Sequence, residues 1–252
     1  MKLFTVGCSF TYSQERGWPY MLSKKIKDKH GIEVELVNNG MPGAGNTYIA
    51  NQIPLESGYR RSPDLAIVMW SGLTRKDILI DRTNTDVVNA LDGYGYVRWA
   101  SAKTDYVLSG GIVGSWMGHP TTQELFGPLY KMSNNRTMAQ DTLLNILSLQ
   151  NYFKQNNITY IMSSYVNYWT SAERVADIDF GIGQYADLRY LVKKIDFDQW
   201  AFINDNKDGI YELAKQIDDI QEDGWHPDFI AHEQWADLLL KKLEDDNFFN
   251  KL

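Results

Sequence analysis

The chain of 252 residues is 44% hydrophobic and 13% aromatic, enough to bury a full core as one large domain. A formal net charge of -7 and a sequence pI near 5.1, with no cluster of Lys and Arg, exclude nucleic acid as the main partner. Cys8 is the only cysteine, so neither an intrachain disulfide nor a cysteine metal site can form.

The first residues lack a basic segment followed by an apolar run, and no apolar stretch approaches the ~20 residues of a membrane span. The expectation is a soluble chain, cytoplasmic by default, with export, assembly into a larger particle or homo-oligomers left open. Lys2 to Val6 reads as a short apolar strand that breaks at Gly7 and delivers Cys8-Ser9-Phe10-Thr11. Trp18 to Lys29 places Trp18, Met21, Leu22 and Ile26 at helical spacing and stops before Gly31. Glu33 to Asn38 alternates like a strand. Asn39-Gly40-Met41-Pro42-Gly43-Ala44-Gly45-Asn46 is a tight glycine-rich turn, and Thr47 to Leu55 reads as the helix entered from it. Leu65 to Trp70 is a continuous apolar run, as expected of a parallel strand buried on both faces.

From about 81 to 135 the alternation fails, and glycines punctuate short aromatic pieces such as Trp99, Tyr106, Trp116 and Tyr130. A structureless loop of that length is improbable in a compact domain, so this insertion at the sheet's edge is expected to carry short elements of its own. Thr137 to Gln155 resumes a helix, and Ile158 to Met162 reads as the next buried strand. Leu188 to Ile195 and Tyr211 to Ile220 look helical, Phe229 to Leu243 is an apolar helical run, and Glu244-Asp245-Asp246 reads as a solvated tail. Strands alternating with helices predict a parallel sheet with right-handed crossovers and a ligand site at the strands' carboxyl ends. The fold class is therefore α/β, a three-layer α/β/α sandwich with a parallel sheet, formed by residues 1–252 as one domain.

The chemistry converges on the two ends of the chain. In Glu222-Asp223-Gly224-Trp225-His226-Pro227-Asp228, a carboxylate stands three residues before a histidine on a loop pinned by Gly224 and Pro227. Folded back, the carboxylate meets ring Nδ1 and leaves Nε2 free to act on a hydroxyl, which Ser9 supplies. Each residue also has a structural reading. Ser9 or Thr11 suits a helix cap, Asp223 a turn beside Gly224, Asp228 the cap of the last helix, and His226 a structural histidine. His232 is expected to face away from the site. His30 and His119 have no ligand-spaced partner, so no metal site and no cofactor are expected.

Taken together, three blocks resemble the SGNH or GDSL hydrolases. Gly7-Cys8-Ser9-Phe10-Thr11 matches the family's Gly-Asp-Ser block except for Cys8 at the Asp position. Asn38 to Gly43 fits the second block, and Asp223, His226 and Pro227 match the closing Asp-x-x-His-Pro block in full. The third block, Gly-x-Asn-Asp, is replaced by Trp70-Ser71-Gly72-Leu73-Thr74-Arg75, with Leu73 or Thr74 at the Asn position. The resemblance implies a flavodoxin-like fold of SGNH-hydrolase type and a serine esterase with Ser9 as nucleophile, His226 as base and Asp223 as its orienting carboxylate. The backbone N–H groups of Ser9 and Gly43 would form the oxyanion hole, with Ser71, Thr74 or Asn46 as a third donor. Loss of one such donor typically costs about 10²- to 10³-fold in rate, so activity can survive it. A thiol enzyme using Cys8 is disfavoured, because adjacent side chains point apart and one His–Asp pair serves only one of them.

Trp70 (core or pocket wall), Arg75 and Trp225 are the candidates to touch substrate, with an ion pair the alternative for Arg75. Eight Trp and fifteen Tyr, Trp169 among them, suit stacking on sugar rings as well as building a small core. The expected substrate is a small acyl ester, including O-acetyl groups on carbohydrate. The competing reading is a non-catalytic carbohydrate-binding or structural module with a degenerate SGNH site.

Overall fold

The structure, a computed structural model, describes residues 1–12, 15–59, 62–80, 106–110, 120–170 and 181–251. Four parallel strands form its central sheet: β1 (Lys2–Gly7), β2 (Glu35–Gly40), β3 (Leu65–Trp70) and β6 (Thr159–Ser164), in the order β2-β1-β3-β6. Short strands β4 (Asp77–Leu79) and β5 (Tyr106–Leu108) pair antiparallel beside it. The helices are α1 (Ser9–Tyr12), α2 (Trp18–His30), α3 (Asn46–Tyr59), α4 (Pro120–Met132), α5 (Asn135–Gln155), α6 (Arg189–Val192), α7 (Ile210–Gln216) and α8 (Phe229–Asp245).

Register follows burial. Every residue of β3 is fully buried, and Leu65 to Trp70 pair in step with Thr159 to Ser164 on one side, while Leu65 to Val68 pair with Leu3 to Val6 on the other. The chain steps from β1 to β2 in one direction and from β2 through β3 to β6 in the other. Right-handed crossovers therefore put α2 on one face and α3 and α5 on the opposite one. The packing agrees, with α2 against α8 and α3 against α5. Among the described residues no helix is long and apolar enough to cross a membrane.

The carboxyl edge of the sheet is shaped where β1 ends. Met41 N–H donates to Gly7 O at 3.0 Å, so the loop after β2 runs beside the loop after β1. Gly40 allows this closeness, since a Cβ there would lie 2.7 Å from the Thr11 carbonyl carbon and 2.7 Å from Tyr12 N. Asn38 adds a strap: its amide donates to Thr11 O at 2.8 Å, while its Oδ1 accepts from Thr5 Oγ1 at 3.1 Å and from Gly40 N–H at 2.9 Å.

Several sequence expectations shift. The helix expected over Leu188 to Ile195 is a 3-10 turn (Ala186–Leu188) followed by α6 alone. The one expected over Tyr211 to Ile220 stops at Gln216, because Asp218 turns the chain at φ +55 so that Ile220 can pair with Pro227. Glu244 and Asp245 belong to α8 instead of a tail, and Glu244 meets Lys29 Nζ at 2.6 Å and His30 Nε2 at 2.9 Å on α2. Of the insertion expected over 81–135, β5 and α4 are seen, while Trp99, Trp116 and His119 lie outside the described residues.

Candidate active site

The loop between α7 and α8 closes on itself. Gln221 N–H donates to His226 O at 2.8 Å, Gly224 N–H to Gln221 O at 2.9 Å, and Gly224 takes the left-handed φ of +75 that the turn needs. Inside this turn one oxygen of Asp223 accepts from the N–H groups of Trp225 (2.8 Å) and His226 (2.9 Å), and the other contacts His226 Nδ1. The same carboxylate thus fixes both the backbone and the ring. Partial burial would by itself raise the Asp223 carboxyl, but the bonds from the His226 ring and from the two N–H groups outweigh it and hold it below the ordinary range.

His226 Nε2 lies 2.8 Å from Ser9 Oγ. With the proton on Nδ1 facing the carboxylate, Nε2 is the acceptor and Ser9 Oγ–H donates to it, which is the arrangement that activates a serine hydroxyl. Phe10 packs between the His226 ring (centroids 5.2 Å apart) and the Tyr165 ring (4.6 Å), setting the ring's tilt from the side. Ser9 opens α1, a single turn of four residues, so the helix contributes local N–H groups and little macrodipole. Cys8, by contrast, is fully buried and cannot present a thiol to substrate.

Gly43 has φ +78 and follows the Met41 bond to Gly7, so its loop stands next to the Ser9 turn. Neither Ser9 N–H nor Gly43 N–H donates to an acceptor among the described residues. Asn46 is committed elsewhere: its amide donates to Ser71 O (3.2 Å) and Thr142 Oγ1 (3.0 Å), and its oxygen accepts from Ser71 N–H (2.8 Å). It ties α3 to β3 and α5 and has no hydrogen left to give. Ser71 and Thr74 are buried as well, and no described hydrogen bond links either to Ser9 or Gly43.

Of the residues expected to touch substrate, Trp70 is corrected. It is 0% exposed, because it ends the strand buried on both faces and belongs to the core. Trp225 is 41% exposed beside His226 and stacks on Tyr211 at 6.0 Å. Arg75 is half-buried; it donates to Ala44 O at 3.3 Å and lies over the Tyr165 ring at 5.8 Å, a loop-binding role instead of a surface ion pair. Trp169 is buried in a ring cluster with Phe197 and Trp200 and offers no open face for a sugar.

Asp228 occupies the first cap position of α8 without a side-chain bond. Asp219 does the capping, its carboxylate accepting from Ala231 N–H at 2.6 Å. His232 is buried against α2, where its Nδ1 accepts from Trp18 N–H at 3.4 Å, and burial pushes it down to about 4. No group of three or more potential metal ligands occurs among the described residues.

No protein-family model and no curated protein matches the amino-acid sequence. Solved structures do match, over nearly the whole chain. TesA aligns with a TM-score of 0.52 at 13% identity, covering 97% of this chain and 99% of its own. A catalytic mutant of the acetylxylan esterase Axe2 from Geobacillus stearothermophilus aligns at 0.51 and 12% identity, covering 96% and 93%. The psychrotrophic esterase EstA from Pseudoalteromonas sp., inhibited by monoethylphosphonate, aligns at 0.50 and 12% identity, covering 97% of each chain. The chain has the α/β fold, with its parallel sheet flanked by helices, of the SGNH/GDSL esterases.

Proposed function

We propose that this chain is a serine esterase that hydrolyses a small acyl ester, working as one catalytic domain with the segment from about 81 to 135 inserted between β4 and α5. The observation that carries the proposal is the 2.8 Å approach of Ser9 Oγ to His226 Nε2 with Asp223 behind the ring. In the reaction Ser9 Oγ attacks the ester carbonyl carbon while His226 Nε2 takes its proton. The carbonyl oxygen becomes an oxyanion, for which the N–H groups of Ser9 and Gly43 are the donors. Asp223 stabilises the imidazolium and keeps the ring in place. His226 then returns the proton to the departing alcohol, leaving the acyl group on Ser9. Water, deprotonated by the same Nε2, attacks the acyl carbon, the bond to Ser9 Oγ breaks, and Nε2 returns the proton to Oγ as the acid leaves.

A carbohydrate O-acetyl ester is the substrate class we favour. Trp225 exposes an aromatic face next to His226, on which a sugar ring can stack while its acyl group reaches Ser9. Among proteins of this fold, Axe2 is an acetylxylan esterase. The test is hydrolysis of p-nitrophenyl acetate by the protein and by Ser9→Ala and His226→Ala. Turnover lost in both variants is expected, and equal turnover in all three would refute the assignment.

A further inference from the structure

The segment that replaces the third motif binds the oxyanion loop from both of its sides. Asp77 Oδ1 accepts from Gly45 N–H at 2.8 Å and Oδ2 from Tyr48 N–H at 2.8 Å, so its carboxylate holds the end of the glycine loop and the first turn of α3 together. Arg75, on the same segment, donates from Nη1 to Ala44 O at 3.3 Å and lies over the Tyr165 ring at 5.8 Å. The fit is tight, since a Cβ on Gly45 would lie 2.7 Å from Asp77 Oδ2 and 2.8 Å from Arg75 O. The two residues that follow Gly43 are therefore gripped at one carbonyl and one N–H.

The segment is itself braced from outside. Tyr130 of α4 donates its hydroxyl to Thr74 O at 2.8 Å and meets Ser109 Oγ at 2.6 Å. Ser109, just after β5, accepts from Lys76 N–H at 2.9 Å and returns its own N–H to Lys76 O at 3.0 Å. Elements between 81 and 135 thus reach the oxyanion loop through the backbone of residues 74 to 77.

With Leu73 and Thr74 where the SGNH pattern has asparagine, and with Asn46 spent, the hole depends on backbone N–H groups. The direction of Gly43 N–H then governs how well the oxyanion is held. We propose, on the esterase reading above, that Arg75 and Asp77 are positioning residues for acyl transfer, fixing the Gly43 N–H by clamping Ala44 and Gly45. They act through the loop and need not touch substrate.

The test compares Asp77→Ala, Asp77→Asn and Arg75→Met with the wild type in p-nitrophenyl acetate hydrolysis, with tryptophan fluorescence reporting that each is folded. A displaced oxyanion donor lowers kcat by about 10²-fold in Asp77→Ala and Arg75→Met while KM stays within about threefold. Asp77→Asn, which keeps one acceptor oxygen and conserves volume, recovers part of the loss and stays informative if the alanine variant fails to fold. Unchanged kcat in the folded variants, or a loss confined to KM, would overturn the clamp while leaving Ser9-dependent turnover in the wild type intact. Absence of Ser9-dependent turnover in the wild type would overturn the esterase reading and the clamp together.

Discussion

Replacing Asp223 by asparagine separates the carboxylate's two jobs. The amide side chain would keep an oxygen where Asp223 Oδ1 now accepts from Trp225 and His226 N–H, so the turn should hold. At the second position an NH2 group would face His226 Nδ1, which must then accept instead of donate. That puts the ring proton on Nε2, pointing at Ser9 Oγ, and the base is lost without moving an atom. In a buried triad the same exchange costs about 10⁴-fold in kcat. Here the side chains of Asp223 and His226 are 44% and 36% exposed, so water screens part of the carboxylate's effect on the imidazolium. The tautomer effect is left, and a loss of about 10³- to 10⁴-fold follows, or about 4 to 5 kcal/mol in the barrier. The assay is p-nitrophenyl acetate turnover with thermal unfolding followed in parallel. A loss below tenfold with the fold intact, or a loss explained by unfolding, would refute the role given to Asp223.

Other expectations concern the scaffold. Asn46→Ala strips partners from Ser71 N–H and Thr142 Oγ1 in the core and should destabilise by about 2 to 4 kcal/mol in urea unfolding; a change near zero would mean that water replaces the amide. Gly40→Ala drives a Cβ into the Thr11 and Tyr12 backbone, so it should cost about 1 to 3 kcal/mol and lower kcat through the displaced Ser9 turn. Two buried groups titrate with opposite effect. His232 falls from 6.5 to about 4 on burial, so the unfolded chain binds its proton first, and stability present above 6.5 is lost as pH falls to about 4. Asp77 rises from 3.8 to about 6, chiefly on burial, so the folded chain binds its proton first, and stability present below 3.8 is lost as pH rises through about 6. Each amounts to about 3 kcal/mol and they nearly cancel. Urea unfolding across this window should show His232→Gln losing stability relative to wild type as pH rises, and Asp77→Asn gaining it; parallel curves for all three would refute both assignments.

Much of the sheet was legible because burial writes itself into sequence. Leu65 to Trp70 can only be a strand covered on both faces, and the bounds agree to the residue. The Asp223 and His226 pair could be read because a three-residue offset inside a turn fixed by Gly224 and Pro227 leaves few geometries. The Asn38 strap could be foreseen only as spacing, since its partner Thr11 lies on another element. Arg75 and Asp77 were harder still. Asp77 opens a three-residue strand with no periodicity and Arg75 lies two residues before it, and their partners Ala44, Gly45 and Tyr48 are backbone groups, which no side-chain pattern announces. Trp70 stays open between core and pocket wall in the sequence, because an aromatic at a strand's carboxyl end suits both until the neighbouring layer is placed, and the structure puts it in the core.

The most direct measurement is labelling of the protein with a fluorophosphonate and mapping of the adduct by mass spectrometry. A single adduct on Ser9, absent in both Ser9→Ala and His226→Ala, is the result expected of a hydroxyl activated by His226. No adduct on the folded wild type, or one that forms equally well without His226, would contradict the esterase.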